Sequence, residues 1–189
     1  MSIHLPKSNA VFFHIPKTGG TWVHRALEAS GIEMKPFIIQ PHSTYLEEDI
    51  EDKYTFAFVR HPWAWYQSYW RFRTDTGWKE KWWLDDNCRA ETFEEFIGKV
   101  IDKGYPYLTE MYNNYTGEPT ILSFVGKQEN LVEDLVHVLR HLNETFDEEK
   151  LRNTPRQNVS TIKLPPLDES LQTGIISLEK ETMQKWNYH

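Results

Sequence analysis

Short runs of apolar residues alternate with amphipathic segments along this chain of 189 residues. Four of the runs contain aromatic and β-branched residues over lengths typical of buried strands. They are AVFFHI (10–15), PFIIQ (36–40), YTFAFV (54–59) and TILSFV (120–125). The pattern therefore predicts four short strands.

Helical spacing of apolar positions is found between and after these strands. Five segments are predicted as helices on this basis: 21–30, 62–73, 93–101, 129–142 and 177–186. Gly31 ends the first of them, and Pro62 stands in the first turn of the second, where helices accept proline. Thr92 and Glu95 have the spacing of a capping box before the third. We expect residues 151–166 to form an ordered loop.

Alternating strands and helices predict an α/β fold with a mainly parallel central sheet that is flanked by helices. No repeat, low-complexity tract or linker divides the sequence, so we expect a single domain over residues 1–189. Ligands of such sheets bind beyond the carboxyl ends of the strands. PKTGGT (16–21) and Arg60-His61-Pro62 both lie at predicted strand ends, which makes them the first candidates for a site.

The composition is that of a globular domain, with 39% hydrophobic and 26% charged residues. No apolar run reaches the roughly 20 residues that a transmembrane helix needs, and the N-terminal residues lack a secretory signal. Cys88 is the single cysteine, which excludes an internal disulfide and favours a reducing compartment. We therefore expect a cytoplasmic protein without a membrane partner, in which Cys88 is a surface or half-buried thiol.

The net charge of −7 argues against a nucleic-acid partner, because nucleic acids are bound by basic surfaces. A small anionic ligand stays possible, because local charge governs its binding. Acidic residues gather in LEEDIED (46–52) and ETFDEEK (144–150), whereas several basic residues lie in or beside the predicted strand ends. The charge pattern therefore favours a small anionic ligand over a polyanion.

The first candidate site is the turn formed by Lys17, Thr18, Gly19, Gly20 and Thr21. Its two glycines allow the backbone to approach an oxyanion, and the amide groups at a helix start point toward it. The lysine adds positive charge and the threonines add hydroxyl donors. The order differs from the GxxxxGK[ST] phosphate loop, in which lysine follows the glycines. An ordinary strand-to-helix turn is the alternative interpretation.

The second candidate site is FVRHPWAWYQSYW (58–70). It places Arg60 at the end of a strand and Ser68 about two turns into the next helix. Arginine binds phosphate through its forked guanidinium group, although a structural ion pair is the alternative role for Arg60. Two phosphate sites at neighbouring strand ends indicate a nucleotide that is phosphorylated at both ends of its ribose.

The two motifs together resemble the donor site of sulfotransferases that use 3′-phosphoadenosine 5′-phosphosulfate (PAPS), especially the branch that sulfates carbohydrates. The resemblance implies a P-loop-NTPase-like fold, with residues 17–21 on the 5′-phosphosulfate and with Arg60 and Ser68 on the 3′-phosphate. FVGKQENLVEDL (124–135) is similar to a later segment of the family. RQNVS (156–160), which begins with Arg156, resembles the loop that closes over the nucleotide.

Sulfuryl transfer to a hydroxyl requires a base, and histidine titrates near neutral pH. PHSTYLEE (41–48) resembles the stretch that supplies the catalytic histidine in uronyl 2-O-sulfotransferases, so the resemblance implies His42 as the base. Proline precedes His42 where the family has glycine. We expect His14 to orient the turn from within the core. His137 and His141 have a spacing compatible with a metal but lack a third ligand, and the resemblance implies no metal.

The resulting hypothesis is an in-line displacement at sulfur, in which Lys17 stabilises the leaving 5′-phosphate of adenosine 3′,5′-bisphosphate. The acceptor is a glycan or a small molecule and the sulfated atom is oxygen or nitrogen. Trp78, Trp82 and Trp83 are candidates for an exposed aromatic lip that binds the acceptor. A small-molecule kinase and a nucleotide-binding protein without turnover are the alternative functions.

Overall fold

A computed structural model describes residues 2–37, 50–156 and 168–189. Within these ranges the strands are β1 Ile3–Leu5, β2 Ala10–Phe13, β3 Lys35–Pro36, β4 Tyr54–Val59 and β5 Phe124–Lys127. The helices are α1 Gly20–Ala29, α2 Pro62–Thr76, α3 Trp83–Cys88, α4 Phe93–Lys103, α5 Tyr107–Thr116, α6 Leu131–His141, α7 Glu148–Arg152, α8 Glu169–Leu178 and α9 Lys180–Lys185. A single 3₁₀ turn, Gln128–Asn130, joins β5 to α6.

The described strands form one open sheet in the order β3-β1-β2-β4-β5. β4 runs parallel to both β2 and β5, whereas β1 is antiparallel to β2 and to β3. The predicted α/β class is confirmed, and the sheet is mixed. The antiparallel part depends on β1, a strand of three residues that is too short to produce a recognisable alternation in the sequence.

The chain divides into two compact units. Unit 1 comprises Met1–Arg60 and Tyr112–Asn158, and it contains the whole sheet. Unit 2 comprises His61–Met111 and Val159–His189. The single domain expected from the sequence stays a prediction.

The core of unit 1 lies between one face of the sheet and the helices α1 and α6. Phe12, Phe56 and Phe58 project from neighbouring strands, and the rings of Phe12 and Phe56 are 5.4 Å apart. Leu27 and Leu135 from the two helices are fully buried in the same cluster. Burial of each such side chain stabilises the fold by roughly 1.5–3 kcal/mol. This core packs against β2 and β4. Because β2, β4 and β5 run parallel, their carboxyl ends lie at the same end of the sheet.

Unit 2 is built from helices around an aromatic core. Trp65, Tyr66 and Phe96 are fully buried, and the ring of Trp65 stacks on that of Tyr69 at 5.1 Å. The core also contains a buried ion pair in which Arg73 Nε lies 2.9 Å from Asp85 Oδ2. Because buried charges require partners, this pair links α2 to α3.

Most of the predicted elements occur where the pattern placed them. α1 and β4 agree with their predicted segments, and Pro62 is the first residue of α2. Thr92 Oγ1 accepts a hydrogen bond from the Glu95 amide at 3.2 Å, so the predicted cap of α4 is confirmed. No helix in the described part of the chain is both long and apolar enough to cross a membrane.

The remaining element predictions differ in position or kind. The strand predicted at 120–125 lies at Phe124–Lys127, and the helix predicted at 177–186 is split between α8 and α9. The loop expected at 151–166 begins inside α7, and its residues 157–166 lie outside the described ranges. Of the strand predicted at 36–40, the structure describes Pro36, which belongs to β3, and Phe37, which does not; residues 38–40 are not described.

Candidate functional site

Three basic residues stand at the carboxyl ends of the three parallel strands. Lys17 follows β2, Arg60 follows β4 directly, and Lys127 is the last residue of β5. Val59 is in register with Lys127, so the ends of β4 and β5 are level. The chain as a whole has a net charge of −7, so the gathering of three basic residues at the C-terminal end of the parallel strands is a contrast with its overall acidity. This end of the sheet is the candidate site.

The turn between β2 and α1 has an unusual backbone. Lys17 has a φ of 66° and Gly19 a φ of 94°, with Thr18 between them at negative φ. Alternation of this kind turns successive amide groups toward one point and creates an anion-binding concavity. A positive φ is uncommon for a lysine and is often found at functional sites. We therefore regard this loop as a candidate anion cradle, and the word cradle refers to residues 17–21 below.

The start of α1 supplies further donors to the same place. Gly19 is the N-cap residue of α1, and no side chain caps the helix there. The first amide groups of a helix have no acceptor within the helix, and the helix dipole favours an anion beside them. The backbone amides of Gly20 and Thr21, the first two residues of α1, are therefore the candidate donors to a ligand.

Both glycines are also required by packing. A Cβ atom on Gly20 would lie 2.1 Å from Cδ2 of His14, and one on Gly19 would lie 2.6 Å from Cδ2 of Leu131. The ring of His14 therefore rests directly on the loop. His14 is half-buried, whereas we expected it within the core, and its role in orienting the turn stays a prediction. Leu131 belongs to FVGKQENLVEDL (124–135), called the third motif below, so this motif packs against the loop at residues 17–21.

The hydroxyl of Thr18 has a different role from the one expected. Thr18 is fully buried, and its Oγ1 donates to the carbonyl of Ile15 at 2.9 Å. The hydroxyl proton closes the turn internally, and Thr18 contributes to the cradle through its backbone. Thr21 is exposed.

Lys17 and Arg60 meet at this edge. A guanidinium nitrogen of Arg60 donates to the carbonyl oxygen of Lys17 at 3.3 Å across a separation of 43 residues. The backbone of Arg60 is held in turn by the hydroxyl of Tyr112, which accepts from its N–H at 2.8 Å and donates to its C=O at 2.9 Å. The two motifs predicted separately thus form one cluster.

The third motif forms a rigid turn between β5 and α6. Asp134 accepts from the amide of Lys127 at 2.7 Å and from the side-chain amide of Asn130 at 2.7 Å. A Cβ atom on Gly126 would lie 2.7 Å from the ring of Phe58, so this glycine allows β5 to pack beside the core. The motif therefore positions Lys127 and supports the cradle through Leu131.

The segment that leads to RQNVS (156–160), the predicted closing loop, is attached to α1. The indole nitrogen of Trp22 donates to the carbonyl of Thr154 at 3.0 Å. Arg156 follows two residues later and is exposed, and residues 157–160 lie outside the described ranges. The indole bond therefore attaches the start of the predicted closing loop to the helix that follows the cradle.

Two predicted site residues are not placed in this cluster. Ser68 is half-buried on α2 and belongs to unit 2, so its contact with a 3′-phosphate stays a prediction. His42 lies in 38–49, outside the described ranges, and its role as base stays a prediction as well.

The other histidines have aromatic neighbours. The ring of His24 is 5.7 Å from that of His14, and His61 contacts Tyr188 at 5.2 Å. The exposed rings of His137 and His141 pack on Phe124 and Tyr54. Among the residues that the structure describes, no group of three His, Cys, Asp or Glu side chains is arranged to hold a metal.

Of the three tryptophans expected in the aromatic lip, Trp82 is the exposed one, at 49%. Its ring lies 5.2 Å from the guanidinium of Arg73, which also contacts the exposed Phe72. Trp78 and Trp83 are half-buried against Phe96 and Tyr107. The candidate lip therefore reduces to Trp82 and its neighbour Phe72.

The expectation of a surface or half-buried Cys88 is wrong. The thiol is fully buried, and burial raises its pKa to about 11. A thiol with such a pKa is protonated and unreactive at neutral pH. Its place at the end of α3 is that of a small apolar core residue.

Sequence reasoning missed the residues that support the cluster. Tyr112 lies in a polar stretch of α5, and no local pattern connects it with Arg60, 52 residues away. The packing of Leu131 on the loop had a weak signal, since Leu131 falls within the third motif. The class that fold and site define is an α/β protein with a candidate anion-binding edge. Comparison of the chain with protein-family models, curated proteins and solved structures finds no match.

Proposed function

We propose that the chain is a cytoplasmic, PAPS-dependent sulfotransferase with a P-loop-NTPase-like fold. It transfers a sulfuryl group to a hydroxyl or amine of a glycan or small-molecule acceptor. The observation that supports this most directly is the contact between Arg60 and Lys17, which brings two predicted phosphate-binding motifs together. The contact places the guanidinium of Arg60 beside the loop that contains Lys17. Both motifs can therefore act on one ligand that carries more than one anionic group, and a doubly phosphorylated adenosine has this character.

The donor is held from two directions. Lys17 and the main chain from Thr18 to Thr21 bind the 5′-phosphosulfate. The backbone amides of this loop and of the start of α1 are the donors in this proposal. Arg60 and Ser68 bind the 3′-phosphate, and Arg156 lies over the nucleotide. No metal is required for this arrangement, since the protein cations supply the positive charge.

The reaction is an in-line displacement. His42 takes the proton from the acceptor hydroxyl as its oxygen forms a bond to sulfur. The bond between sulfur and the 5′-phosphate oxygen breaks, and its electron pair remains on that oxygen. Lys17 stabilises the charge that develops there. The products are a sulfate ester and adenosine 3′,5′-bisphosphate, and the proton remains on His42 until solvent removes it.

The binding part of the proposal is tested by calorimetry. Adenosine 3′,5′-bisphosphate should bind without metal, and AMP, which lacks the 3′-phosphate, should bind about tenfold or more weakly, the equivalent of about one charged hydrogen bond. Arg60→Ala should remove most of this discrimination. ATP with Mg²⁺ is the comparison ligand, and tighter binding of ATP than of the bisphosphate would support a kinase instead.

The catalytic part is tested with radiolabelled PAPS and a panel of glycans and small phenolic or amine acceptors. His42→Ala should reduce turnover about 100-fold or more, as loss of a general base does, while the affinity for the bisphosphate stays unchanged. Binding without any transfer would leave the chain a nucleotide-binding protein. Full activity of the His42→Ala variant would show that another group is the base.

A further inference from the structure

The geometry points to Tyr112 as a positioning residue of the proposed nucleotide site, a role that rests on the proposed function. Its hydroxyl bridges both main-chain groups of one residue, accepting from the Arg60 N–H at 2.8 Å and donating to the Arg60 C=O at 2.9 Å. Tyr112 is not among the residues predicted to contact the ligand. It acts through Arg60.

The position of Arg60 explains why such a bridge is needed. β4 ends at Val59, which is in register with Lys127, the last residue of β5. Arg60 follows immediately, beyond these last paired residues of the ladder. A hydroxyl can donate and accept at once, so it serves both groups as one more ladder position would. Tyr112 therefore holds the first residue after β4 through both of its main-chain groups.

Tyr112 is itself firmly held. It lies on α5 and is fully buried, and the hydroxyl of Thr116 donates to its main-chain carbonyl at 2.9 Å. A buried ring on a helix has one position, so its hydroxyl is a fixed reference point for Arg60. Because the guanidinium of Arg60 also donates to the carbonyl of Lys17, the Arg60 backbone is linked through its own side chain to the loop that contains Lys17.

The consequence is preorganisation. Arginine side chains are long and flexible, and binding is weakened when they must be ordered by the ligand. A fixed backbone at Arg60, with the guanidinium already placed beside Lys17, reduces the freedom that a 3′-phosphate would have to remove. Tyr112→Phe keeps the buried ring and deletes only the bridge. We expect this variant to bind the bisphosphate about tenfold more weakly, as the loss of one or two neutral hydrogen bonds implies.

The matched control is Tyr66→Phe. Tyr66 is fully buried, and its hydroxyl donates to Glu179 Oε1 at 2.7 Å within unit 2. Both variants lose a buried tyrosine hydroxyl, but only one of them loses contact with Arg60. We expect Tyr66→Phe to change the affinity for adenosine 3′,5′-bisphosphate less than about twofold, within the ordinary error of additivity.

The experiment measures the bisphosphate affinity by calorimetry for the full chain and its Tyr112→Phe, Tyr66→Phe, Arg60→Ala and Arg60→Ala/Tyr112→Phe variants. A residue that acts through Arg60 has no effect once Arg60 is gone, so the loss from Tyr112→Phe should vanish in the Arg60→Ala background. An unchanged affinity of Tyr112→Phe overturns the inference. So does an equal loss in the Tyr66→Phe control, or an equal loss with and without Arg60.

Two further readouts keep these outcomes distinct. If the wild-type chain does not bind the bisphosphate, the proposed function itself fails. If the wild-type chain binds and Tyr112→Phe does not fold, amide hydrogen exchange of the wild-type chain decides. The Arg60 amide should then be protected as strongly as the amides of β4, and fast exchange there overturns the bridge.

Discussion

The packing around Gly20 leaves no room for a side chain. The atoms nearest to a Cβ built there all belong to the ring of His14, with Cδ2 at 2.1 Å and Nε2 at 2.3 Å. Even alanine would therefore displace the imidazole, and with it the turn that precedes α1. The glycine keeps the histidine and the cradle in contact.

Gly20→Ala should destabilise the fold by about 1–3 kcal/mol, as overpacking does. The Gly20→Ala/His14→Ala variant should be more stable than the sum of the two single changes predicts, because removal of the ring makes room for the methyl group. Urea denaturation of the four proteins measures this coupling. Gly98→Ala is the control, since nothing lies within 4 Å of that Cβ and α4 should gain about 0.5–1 kcal/mol. Strict additivity of the two changes would contradict the packing argument.

Glu179 is a buried carboxyl at which two effects oppose each other. Burial raises its pKa, while hydrogen bonds from Tyr66, Leu108 and Thr109 favour the ionised form. The net direction is upward, so the folded state holds the proton more tightly than the unfolded state. Its contribution to stability is complete below the ordinary value of 4.5 and declines as the pH rises through the raised pKa.

Glu179→Gln should therefore flatten the decline of stability between about pH 4.5 and neutrality, because glutamine does not titrate. The variant should also be less stable by about 1–3 kcal/mol, since an amide N–H₂ would face two donors on one side. The free energy of unfolding in urea, measured across this pH range, checks both effects. A pH dependence equal to that of the wild-type chain would show that Glu179 does not titrate there.

Among the elements, the turn between β5 and α6 makes more contacts that support the candidate site than its sequence indicated. Asp134 near the start of α6 holds the Lys127 amide and the Asn130 side chain, and Leu131 in the same turn packs on Gly19. A strand end, a helix start and the cradle are thus one packed structure. The helix supports the site although it supplies none of the predicted ligand contacts.

Asp134→Ala should lower stability by about 1–3 kcal/mol and weaken bisphosphate binding, because the turn under Lys127 and Leu131 loses its anchor. Glu133→Ala is the neighbouring control. Glu133 is an exposed residue paired with Arg152, and such surface pairs contribute about 0–1 kcal/mol. Thermal denaturation and calorimetry measure the two effects. Equal losses in the two variants would indicate that the Asp134 bonds carry no special role.

In the molecule as a whole, three basic residues of an acidic chain lie at the carboxyl ends of the parallel strands. The net charge of −7 repels anions at long range, whereas Lys17, Arg60 and Lys127 attract them locally. The balance depends on screening, since the Debye length falls from about 10 Å at 0.1 M salt to about 3 Å at 1 M. Short-range contacts at the cradle therefore dominate at high salt.

Lys17→Ala should weaken binding of adenosine 3′,5′-bisphosphate by about 10–100-fold, the equivalent of one charge-assisted hydrogen bond. The wild-type affinity should fall with salt, and the variant should show a smaller dependence because one cation is gone. Lys53→Ala changes the net charge equally but lies just before β4, at the opposite edge of the sheet. Calorimetry at two salt concentrations compares them, and equal losses in both variants would rule out a local role for Lys17.

Local sequence patterns were sufficient to predict several strands and helices of this protein. The buried strands β2 and β4, the helix α1 after the glycines and the start of α2 at Pro62 all follow from short-range rules of hydrophobicity and backbone conformation. The cations Lys17 and Arg60 were recognisable for the same reason, since each directly follows or closely follows such a strand. Those rules act over a few residues, so their patterns can be recognised in a single sequence.

The tertiary structure decided how these pieces are combined. The pairing of β1 makes the sheet mixed, the bond from Arg60 to Lys17 spans 43 residues, and the bridge from Tyr112 to Arg60 spans 52. Contacts of this kind depend on which helix packs at which strand end, and no periodicity in the chain records that choice. The sequence therefore determined which groups are available, and only the folded chain determined which of them meet, because long-range packing places them within hydrogen-bond distance.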